Sequence, residues 1–498
     1  MPPVAGPTAV YRFGPFDFDQ AGCRLARDGV AIDLPPRLLD LLALLVAQPG
    51  DLLAKDDLIA QVWPGVFVTD NSLTRAVSEL RRHLGDVADE PQYIQTVARR
   101  GYRFVADVRK GTRQTPDRGA EPETSDRHRV EADARLQLEA FSAEALPDVI
   151  AAFERQRAAH PDDTRVRVAL AHAYFFQHEA SRAGPTRNPA FLEKARSEAL
   201  EACRLDPRLG DGWAALGIVL AAEGEQTEAR GALRRAIALE PDNWRHHFRH
   251  AYVSWGEDRL RSVTRTLGFQ PAQPFAYFLS AAVFIARGAF DAATEALKGG
   301  VKAQDLQHGR PALFPGVGLH WMLGLVLAAR GRRDEALDEC ARELEFATAQ
   351  TVYTSEFMTN ASVLRGCVLL EDSPSDAIAA FDDALRRTPA QGRAHLGLGL
   401  AYRAIGRDEE ATSELERASD AIGRLDALGR RSEAALVYAC RLVIDRRDDE
   451  AAAALEQALT SAPPGPFGWS IPVEPFLARA VKLPAFARVR AILAERAS

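Results

Sequence analysis

The chain has 498 residues, of which 47% are hydrophobic, so it is long enough for two or more domains with complete cores. Its formal net charge of −7 excludes a protein coated over its whole surface by nucleic acid, so any such contact must come from a local patch. Five scattered cysteines without a C-x-x-C pair favour free thiols in a reducing compartment over a disulfide framework or a zinc site.

The first part of the chain carries strand patterns followed by helix patterns. The expected elements, in chain order, are strands at Tyr11–Phe18, Cys23–Arg27 and Val30–Leu34 and helices at Arg37–Ala47 and Lys55–Trp63. Asp28 and Gly29 form a tight turn between the second and third strands, because Asp-Gly favours the backbone geometry of a two-residue hairpin loop.

A third helix is predicted between a capping residue, Asp70 or Asn71, and Gly85, which is suited to the position after a helix. Its apolar face consists of Leu73, Val77, Leu80 and Leu84. Its opposite face consists of polar and charged residues: Asn71, Thr74, Arg75, Ser78, Glu79, Arg81 and Arg82. A short, polar and cationic helix face suits the major groove of duplex DNA.

A basic hairpin follows this helix. Tyr93–Val97 and Tyr102–Val105 alternate apolar and polar residues and predict two strands. In the turn between them, Gly101 permits the backbone geometry that a turn needs. The arginines of the hairpin, positioned to meet phosphate or a minor groove, are Arg99, Arg100 and Arg103.

The alternative is that Arg75, Arg81 and Arg82 only solvate an ordinary helix, as charged helix faces usually do. The arginines of the hairpin favour the DNA hypothesis, because two separate basic elements would then converge on one side of the domain.

Two stretches carry a resemblance to a known family. IQTVARRGYRF at residues 94–104 resembles the wing of the winged helix-turn-helix domain of OmpR/PhoB-type response regulators, and VFVTDNSLTRAVSELRRHLGD at residues 66–86 resembles that family's loop and recognition helix. The resemblance extends back to about residue 11. It implies that these residues face the groove or the DNA backbone: Asn71, Ser72, Arg75, Ser78, Glu79 and Arg82 on the helix, with Thr96 and Arg103 on the wing. It also implies that the loop Pro64–Val68 can contact RNA polymerase.

The sequence departs from this family at two positions of the helix. Family members often carry arginines where Ser78 and Glu79 stand here, so the base preference of this helix differs from theirs.

The rest of the chain divides into a linker, an array and an end segment. Residues 110–130 are rich in Pro, Gly, Thr, Glu and Arg and predict a flexible linker after a winged-helix domain at 1–109. Residues 131–465 resemble tetratricopeptide repeats, helix pairs that recur about every 34 residues, in roughly eight units. The clearest unit is Gly210–Asn243, in which small residues such as Gly217 let two helices approach. Residues 466–498 are expected to cap the last repeat.

Motifs for catalysis or metal binding are weak in this sequence. His246 and His250 lie one helical turn apart and could hold a metal, but no third ligand is evident, and a polar helix face is the alternative. Gly397 and Gly399 fit the repeat better than a dinucleotide-binding loop. The sequence contains no P-loop, H-E-x-x-H or G-x-S-x-G motif, so we expect a protein that is not an enzyme and needs no cofactor.

These patterns predict a multidomain chain: an α+β winged helix-turn-helix domain followed by an all-α tetratricopeptide-repeat superhelix. The function they favour is a cytoplasmic one-component transcriptional regulator that binds double-stranded DNA, with repeats that bind a protein, a peptide or a second copy of the chain. We expect no membrane contact, since the sequence lacks a signal pattern and a long apolar run. The alternative is an interaction scaffold whose DNA-binding module is weak or vestigial.

Overall fold

The computed structural model describes residues 9–19, 24–28, 30–32, 34, 36–62, 70–87, 90–97, 100–112, 138, 142–181, 188–305, 318–346 and 351–498. The chain divides into two compact units, Met1–Thr124 (unit 1) and Ser125–Ser498 (unit 2), which are described separately.

The described residues of unit 1 form short antiparallel strands and three helices. Its described elements are β1 (Ala9–Phe13), β2 (Phe16–Asp19), β3 (Arg24–Arg27), β4 (Val30–Ile32), α1 (Pro36–Ala47), β5 (Leu52–Ala54), α2 (Lys55–Val62), α3 (Asp70–Leu84), β6 (Ile94–Val97), β7 (Gly101–Phe104) and β8 (Arg109–Thr112). Five strands form one antiparallel sheet in the order β4-β3-β2-β1-β8, and three form a second in the order β5-β7-β6. The α+β class predicted for this part of the chain is confirmed.

Three features of the strands differ from the sequence prediction. The single strand expected at Tyr11–Phe18 is two strands, because Gly14 has φ +51° and turns the chain back on itself. β5 was not predicted at all. β8 lies where the linker was expected to begin, and its residues pair with β1. At the predicted Asp28-Gly29 turn, Arg27 pairs with Val30 and Asp28 has φ +51°, while Gly29 lies outside the described residues.

Aromatic rings connect the two sheets of unit 1. Phe13 lies 5.1 Å from Phe104 and 5.8 Å from Tyr93, measured between ring centroids, and Phe16 lies 5.4 Å from Tyr93. Burial raises the pKa of Tyr93, against the opposing charge of Arg27. The leucines of α1 and the apolar face of α3 complete this core, so the position of α3 is determined by packing rather than by the loops around it.

The regular elements that the structure describes in unit 2 are helices, joined by short turns. Its helices are α4 (Leu146–Ala159), α5 (Thr164–Ser181), α6 (Ala190–Leu205), α7 (Gly210–Glu223), α8 (Gln226–Leu239), α9 (Trp244–Val253), α10 (Gly256–Phe269), α11 (Pro274–Ala286), α12 (Phe290–Asp305), α13 (Leu319–Ala329), α14 (Arg333–Phe346), α15 (Thr354–Leu369), α16 (Pro374–Arg387), α17 (Gly392–Ala404), α18 (Asp408–Ala427), α19 (Arg431–Ile444), α20 (Asp448–Ser461) and α21 (Ala487–Arg496). Four 3₁₀ turns lie between α20 and α21, at Ile471–Val473, Pro475–Leu477, Ala480–Lys482 and Pro484–Phe486.

Helices α5 to α20 form eight consecutive pairs within the described residues, which agrees with the predicted tetratricopeptide-like array. The first helices of neighbouring pairs, such as α11, α13 and α15, contact one another along the array. Each second helix packs mainly against its own first helix and the next one. The first helices therefore form one continuous layer of unit 2, and the surface of that layer is called the first-helix face below.

Several glycines of the first helices lie where a neighbouring helix packs too closely for a side chain. A Cβ atom on Gly217 would lie 2.6 Å from Leu233, and one on Gly399 would lie 2.7 Å from Leu415. A Cβ atom on Gly397 would lie 2.2 Å from the ring of Phe381, which belongs to α16 of the preceding pair. The assignment of Gly397 and Gly399 to the repeat, rather than to a nucleotide-binding loop, is therefore supported by their packing.

The cysteines described in unit 2 are all free thiols: Cys203, Cys340, Cys367 and Cys440. Burial raises the pKa of Cys203 to about 11 and that of Cys340 to about 12, so both are protonated and unreactive near neutral pH. Within the described parts of the chain, no helix combines the length and apolar character that crossing a bilayer requires.

Candidate nucleic-acid interface

Helix α3 presents one buried face and one exposed face. Leu73, Val77, Leu80 and Leu84 are at most 2% exposed and pack into the core of unit 1. The helix ends at Gly85, which has φ +67°, and the amide of Asp86 donates to the Arg81 carbonyl at 2.9 Å. Glycine fits this left-handed position without strain, so the predicted end of the helix is confirmed.

Five of the predicted groove-facing residues lie wholly or partly on the exposed face of α3: Thr74, Arg75, Ser78, Glu79 and Arg82. The side chain of Arg82 is 62% exposed and lies 3.7 Å from the Glu79 carboxylate, measured between Nη2 and Oε1. The Ser78 hydroxyl donates to the Thr74 carbonyl at 2.8 Å, which leaves its oxygen to accept from a ligand. This face offers two cations and one carboxylate to solvent.

Arg81 is the exception, because the prediction that it lies on the polar face is wrong. The residue is 8% exposed, and its Nη2 donates to the carbonyl of Ile94 and to Thr96 Oγ1 at 2.9 Å. Its Nε lies 3.9 Å from Asp86 Oδ2. Position 81 follows Val77 by one helical turn, so the arginine enters the interior and joins α3 to β6 instead of facing DNA.

Asp86 is a structural residue of the interface that the sequence analysis did not single out. Its buried carboxylate accepts the backbone N–H groups of Gln92, Tyr93 and Ile94, at 2.7, 3.3 and 2.8 Å. Ionised acceptors make strong hydrogen bonds of this kind. Together, Asp86 and Arg81 hold the start of β6 against the end of α3. The pattern that could have revealed them is an arginine at the edge of the apolar face, followed by an aspartate directly after the terminating glycine.

The wing is the hairpin of β6 and β7, which contacts α3 near its amino-terminal end. The hydroxyl of Tyr102 on β7 lies 3.5 Å from Thr74 Oγ1. Tyr102 and Phe104 are buried, whereas Arg103 between them is half-buried on the opposite side of the strand. The Nε of Arg103 has no hydrogen-bond partner among the described residues. Arg100 is exposed in the turn, where its amide donates to the Val97 carbonyl at 3.0 Å.

Two further wing residues, Thr96 and Gly101, have roles that follow from their contacts. Thr96 is exposed and accepts from Arg81, so its own hydroxyl hydrogen can be donated outward, for example to a phosphate oxygen. Gly101 lies in β7 and not in the turn. A Cβ atom there would lie 1.9 Å from the carbonyl oxygen of Leu53, so glycine is required by the close approach of β5.

Several predicted contacts fall outside the described residues. The side chains of Asn71 and Ser72, all of Arg99 and the loop Pro64–Val68 belong to this group.

A helix with an exposed polar face beside a small antiparallel hairpin is the arrangement of a winged-helix DNA-binding domain. Residues 29–104 match the family described as "Transcriptional regulatory protein, C terminal", so this segment is a domain of that family.

Two curated relatives and one solved structure show how far the similarity extends. The transcriptional activator CadC of Escherichia coli is 41% identical over 86 residues, which are 17% of this chain and 17% of CadC. The cholera toxin transcriptional activator of Vibrio cholerae is 43% identical over 70 residues, which are 14% of this chain and 24% of that protein. The solved DNA-binding domain of E. coli CadC is 36% identical and covers 21% of this chain and 97% of that domain, with a TM-score of 0.19. The chain therefore spans less than a quarter of the length of the two curated relatives.

The histidines considered as a metal site are buried and bonded to the protein. His246 Nε2 lies 3.0 Å from Glu240 Oε2, and His250 Nδ1 lies 2.8 Å from Ser262 Oγ. Within the residues that the structure describes, no group of three or more potential ligands is close enough to hold a metal ion. The alternative, a polar helix face, is wrong in one respect, because both rings are inside unit 2.

Burial of His250 makes the stability of unit 2 sensitive to acid. Burial lowers the pKa of His250 to about 4, against the opposing charge of Asp258. An unfolded histidine binds a proton below about pH 6.5 while the folded one stays neutral, so stability falls as the pH drops from about 6.5 to about 4. We expect His250→Gln, which cannot titrate, to reduce the loss of unfolding free energy between pH 7 and pH 4.5 by about 2 kcal/mol. Urea unfolding followed by tryptophan fluorescence measures this, and parallel pH profiles for the two proteins would contradict it.

Proposed function

We propose that this chain is a one-component, cytoplasmic transcriptional regulator in which unit 1 binds duplex DNA and unit 2 binds a protein or peptide partner. The observation that carries the proposal is the contact between Tyr102 and Thr74, which brings the wing strand next to the exposed face of α3. A helix and a wing held together in this way can reach a groove and the neighbouring phosphates of the same duplex.

The proposed contacts follow from exposure and charge. On α3 they are Thr74, Arg75, Ser78, Glu79 and Arg82, and on the wing Thr96, Arg100 and Arg103; Asn71, Ser72 and Arg99 remain predictions from the sequence. Arg81 is removed from this set, because its guanidinium is buried and bonded within unit 1. Arg75 and Arg82 supply sequence-independent attraction to phosphate, and Glu79 limits it through its pairing with Arg82.

The proposal is tested by the salt dependence of DNA binding. We expect Arg75→Ala and Arg82→Ala each to weaken binding about fivefold to tenfold, and to reduce the slope of log affinity against log salt by about one. The probe is a short duplex taken from the strongest site found by genome-wide footprinting of the full chain.

Arg12→Ala provides the matched control. Arg12 is an equally exposed arginine of unit 1, but it pairs with Asp17 within the five-stranded sheet. Its removal should leave the slope unchanged. Retention of full affinity by both α3 variants would contradict the proposed interface.

A second candidate function is a scaffold whose DNA-binding module is weak. The ion pair between Glu79 and Arg82 favours it, because a neutralised arginine contributes less to phosphate binding. Under this hypothesis the full chain would show no footprint on chromosomal DNA, whereas partner binding by unit 2 would persist.

A further inference from the structure

The C-terminal segment, residues 466–498, does more than cover the last helix pair. Its final helix α21 packs against α20, and Arg496 donates to the Leu459 carbonyl at 2.9 Å. The first two 3₁₀ turns, Ile471–Val473 and Pro475–Leu477, however, contact α11, α13, α15 and α19, which are all first helices. Residues 469–477 therefore lie across the first-helix face.

Two side chains anchor this stretch. The ring of Trp469 meets that of Trp321 on α13 edge to face, with centroids 6.1 Å apart. Five residues later, the side chain of Glu474 is 1% exposed and accepts from Arg393 on α17 at 3.0 Å. Arg393 also donates to Asn360 on α15 at 2.7 Å. The face thus offers one aromatic contact site on α13, called the aromatic seat, and one cationic contact site on α17, called the cationic seat; one helix pair, α15 and α16, lies between them.

The cationic seat requires an acid from the bound segment. Arg393 is mostly buried, its side chain 17% exposed, and among the described residues Glu474 is the carboxylate bonded to it. A buried cation without a counter-charge is costly, so whatever covers this face must bring an acidic group. Glu474 does so imperfectly, because its Oε1 is buried without a hydrogen-bond partner in the described structure. A segment that satisfied both oxygens would bind better than the chain's own.

We propose that the first-helix face around Trp321, Asn360 and Arg393 is a binding site for a segment of a partner protein that carries an aromatic residue followed five residues later by a carboxylate. Residues 469–477 are an intramolecular ligand that occupies the site until the partner displaces them. This inference rests on the proposed partner-binding role of unit 2 and is independent of DNA binding by unit 1.

The intramolecular ligand sets the affinity that the partner experiences. A segment tethered to its own site competes at an effective concentration on the order of 1 mM. A free peptide of the same sequence therefore binds the wild-type chain weakly, and it binds tightly only when the tethered copy is impaired. A variant that weakens the tethered segment should consequently raise the affinity of the chain for the free peptide, whereas a variant that damages the first-helix face should lower it.

The experiment uses the full chain and a fluorescein-labelled peptide of residues 466–478. We expect Glu474→Gln in the chain to strengthen peptide binding by about tenfold or more, because it weakens the tethered competitor and leaves the face intact. Arg393→Met in that background should abolish the gain. Arg479→Ala is the control, since Arg479 pairs with Asp448 outside the seat and its loss should change nothing.

Hydrogen exchange of the wild-type chain gives a second measurement that needs no variant. Excess peptide, at about 1 mM, should accelerate exchange of the amides of residues 469–477 and leave those of α21 protected. Unchanged exchange, or a Glu474→Gln chain that binds the peptide no better than wild type, would overturn the proposal. Concentration-dependent dimerisation of that variant without peptide binding would also overturn it, because the occupant would then be a second copy of the chain.

Discussion

Replacing Arg81 by methionine should lower the opening free energy of β6 by about 2–4 kcal/mol, whereas the same change at Arg82 should leave it within about 0.5 kcal/mol. The two arginines are adjacent in sequence, but Arg81 is bonded to Ile94 and Thr96 inside unit 1 while the side chain of Arg82 is 62% exposed. Removing Arg81 also takes away the guanidinium that lies 3.9 Å from the buried Asp86 carboxylate. Hydrogen exchange of the β6 amides in the full chain measures both effects.

Both Arg81→Met and Arg82→Met should lower DNA affinity, but for different reasons. Arg82→Met weakens binding through a lost phosphate contact at constant stability, whereas Arg81→Met weakens it because the wing is no longer held against α3. Equal protection of β6 in the two variants would show that the buried hydrogen bonds of Arg81 do not hold the wing.

Gly101→Ala should have a larger effect than the same change at the other glycines that the structure describes in unit 1. The new Cβ atom would lie 1.9 Å from the Leu53 carbonyl oxygen and 3.1 Å from the Cα atom of Ala54, and these are backbone atoms of β5 that cannot rotate aside as a side chain could. We expect β5 to separate from β7, at a cost of about 3 kcal/mol, with loss of DNA binding in the same footprinting assay. Thermal unfolding and hydrogen exchange of residues 101–104 measure the loss.

Gly50→Ala is the matched control for this prediction. Gly50 has φ +84°, but a Cβ atom there would have no neighbour within 4 Å. Only the left-handed backbone is penalised, at about 1 kcal/mol, so the wing and DNA binding should survive. If both variants lost the wing to the same extent, backbone conformation rather than the clash with β5 would explain the requirement for glycine at position 101.

The spacing of apolar residues was sufficient to predict helices that bury one apolar face. Helix α3 has the leucine spacing of an amphipathic helix and ends at Gly85 as expected, and the repeated spacing of small and large residues revealed the helix pairs of unit 2. These patterns involve residues that are close together in sequence, so they can be recognised before the fold is known.

Elements that depend on distant partners could not be predicted in this way. β5 and β8 are three and four residues long, and they are strands only because β7 and β1 pair with them. The assignment of Arg81 failed for a related reason. Residue type alone assigned it to solvent, although the acceptors that make its burial possible lie 13 and 15 residues further along.

The contact between the C-terminal end of unit 2 and α11 affects how cooperatively unit 2 unfolds. In a linear stack of helix pairs, each pair depends on its neighbours alone, so such arrays fray from their ends. Here Arg287 at the end of α11 donates to the carbonyl of Ala497, 210 residues away, at 2.8 Å. This bond and the contacts of residues 469–477 connect the C-terminal end of the chain directly to α11, so the helices from α11 to α21 are linked by more than their sequential neighbours. The five helix pairs from α11 to α20 should consequently unfold in one cooperative step.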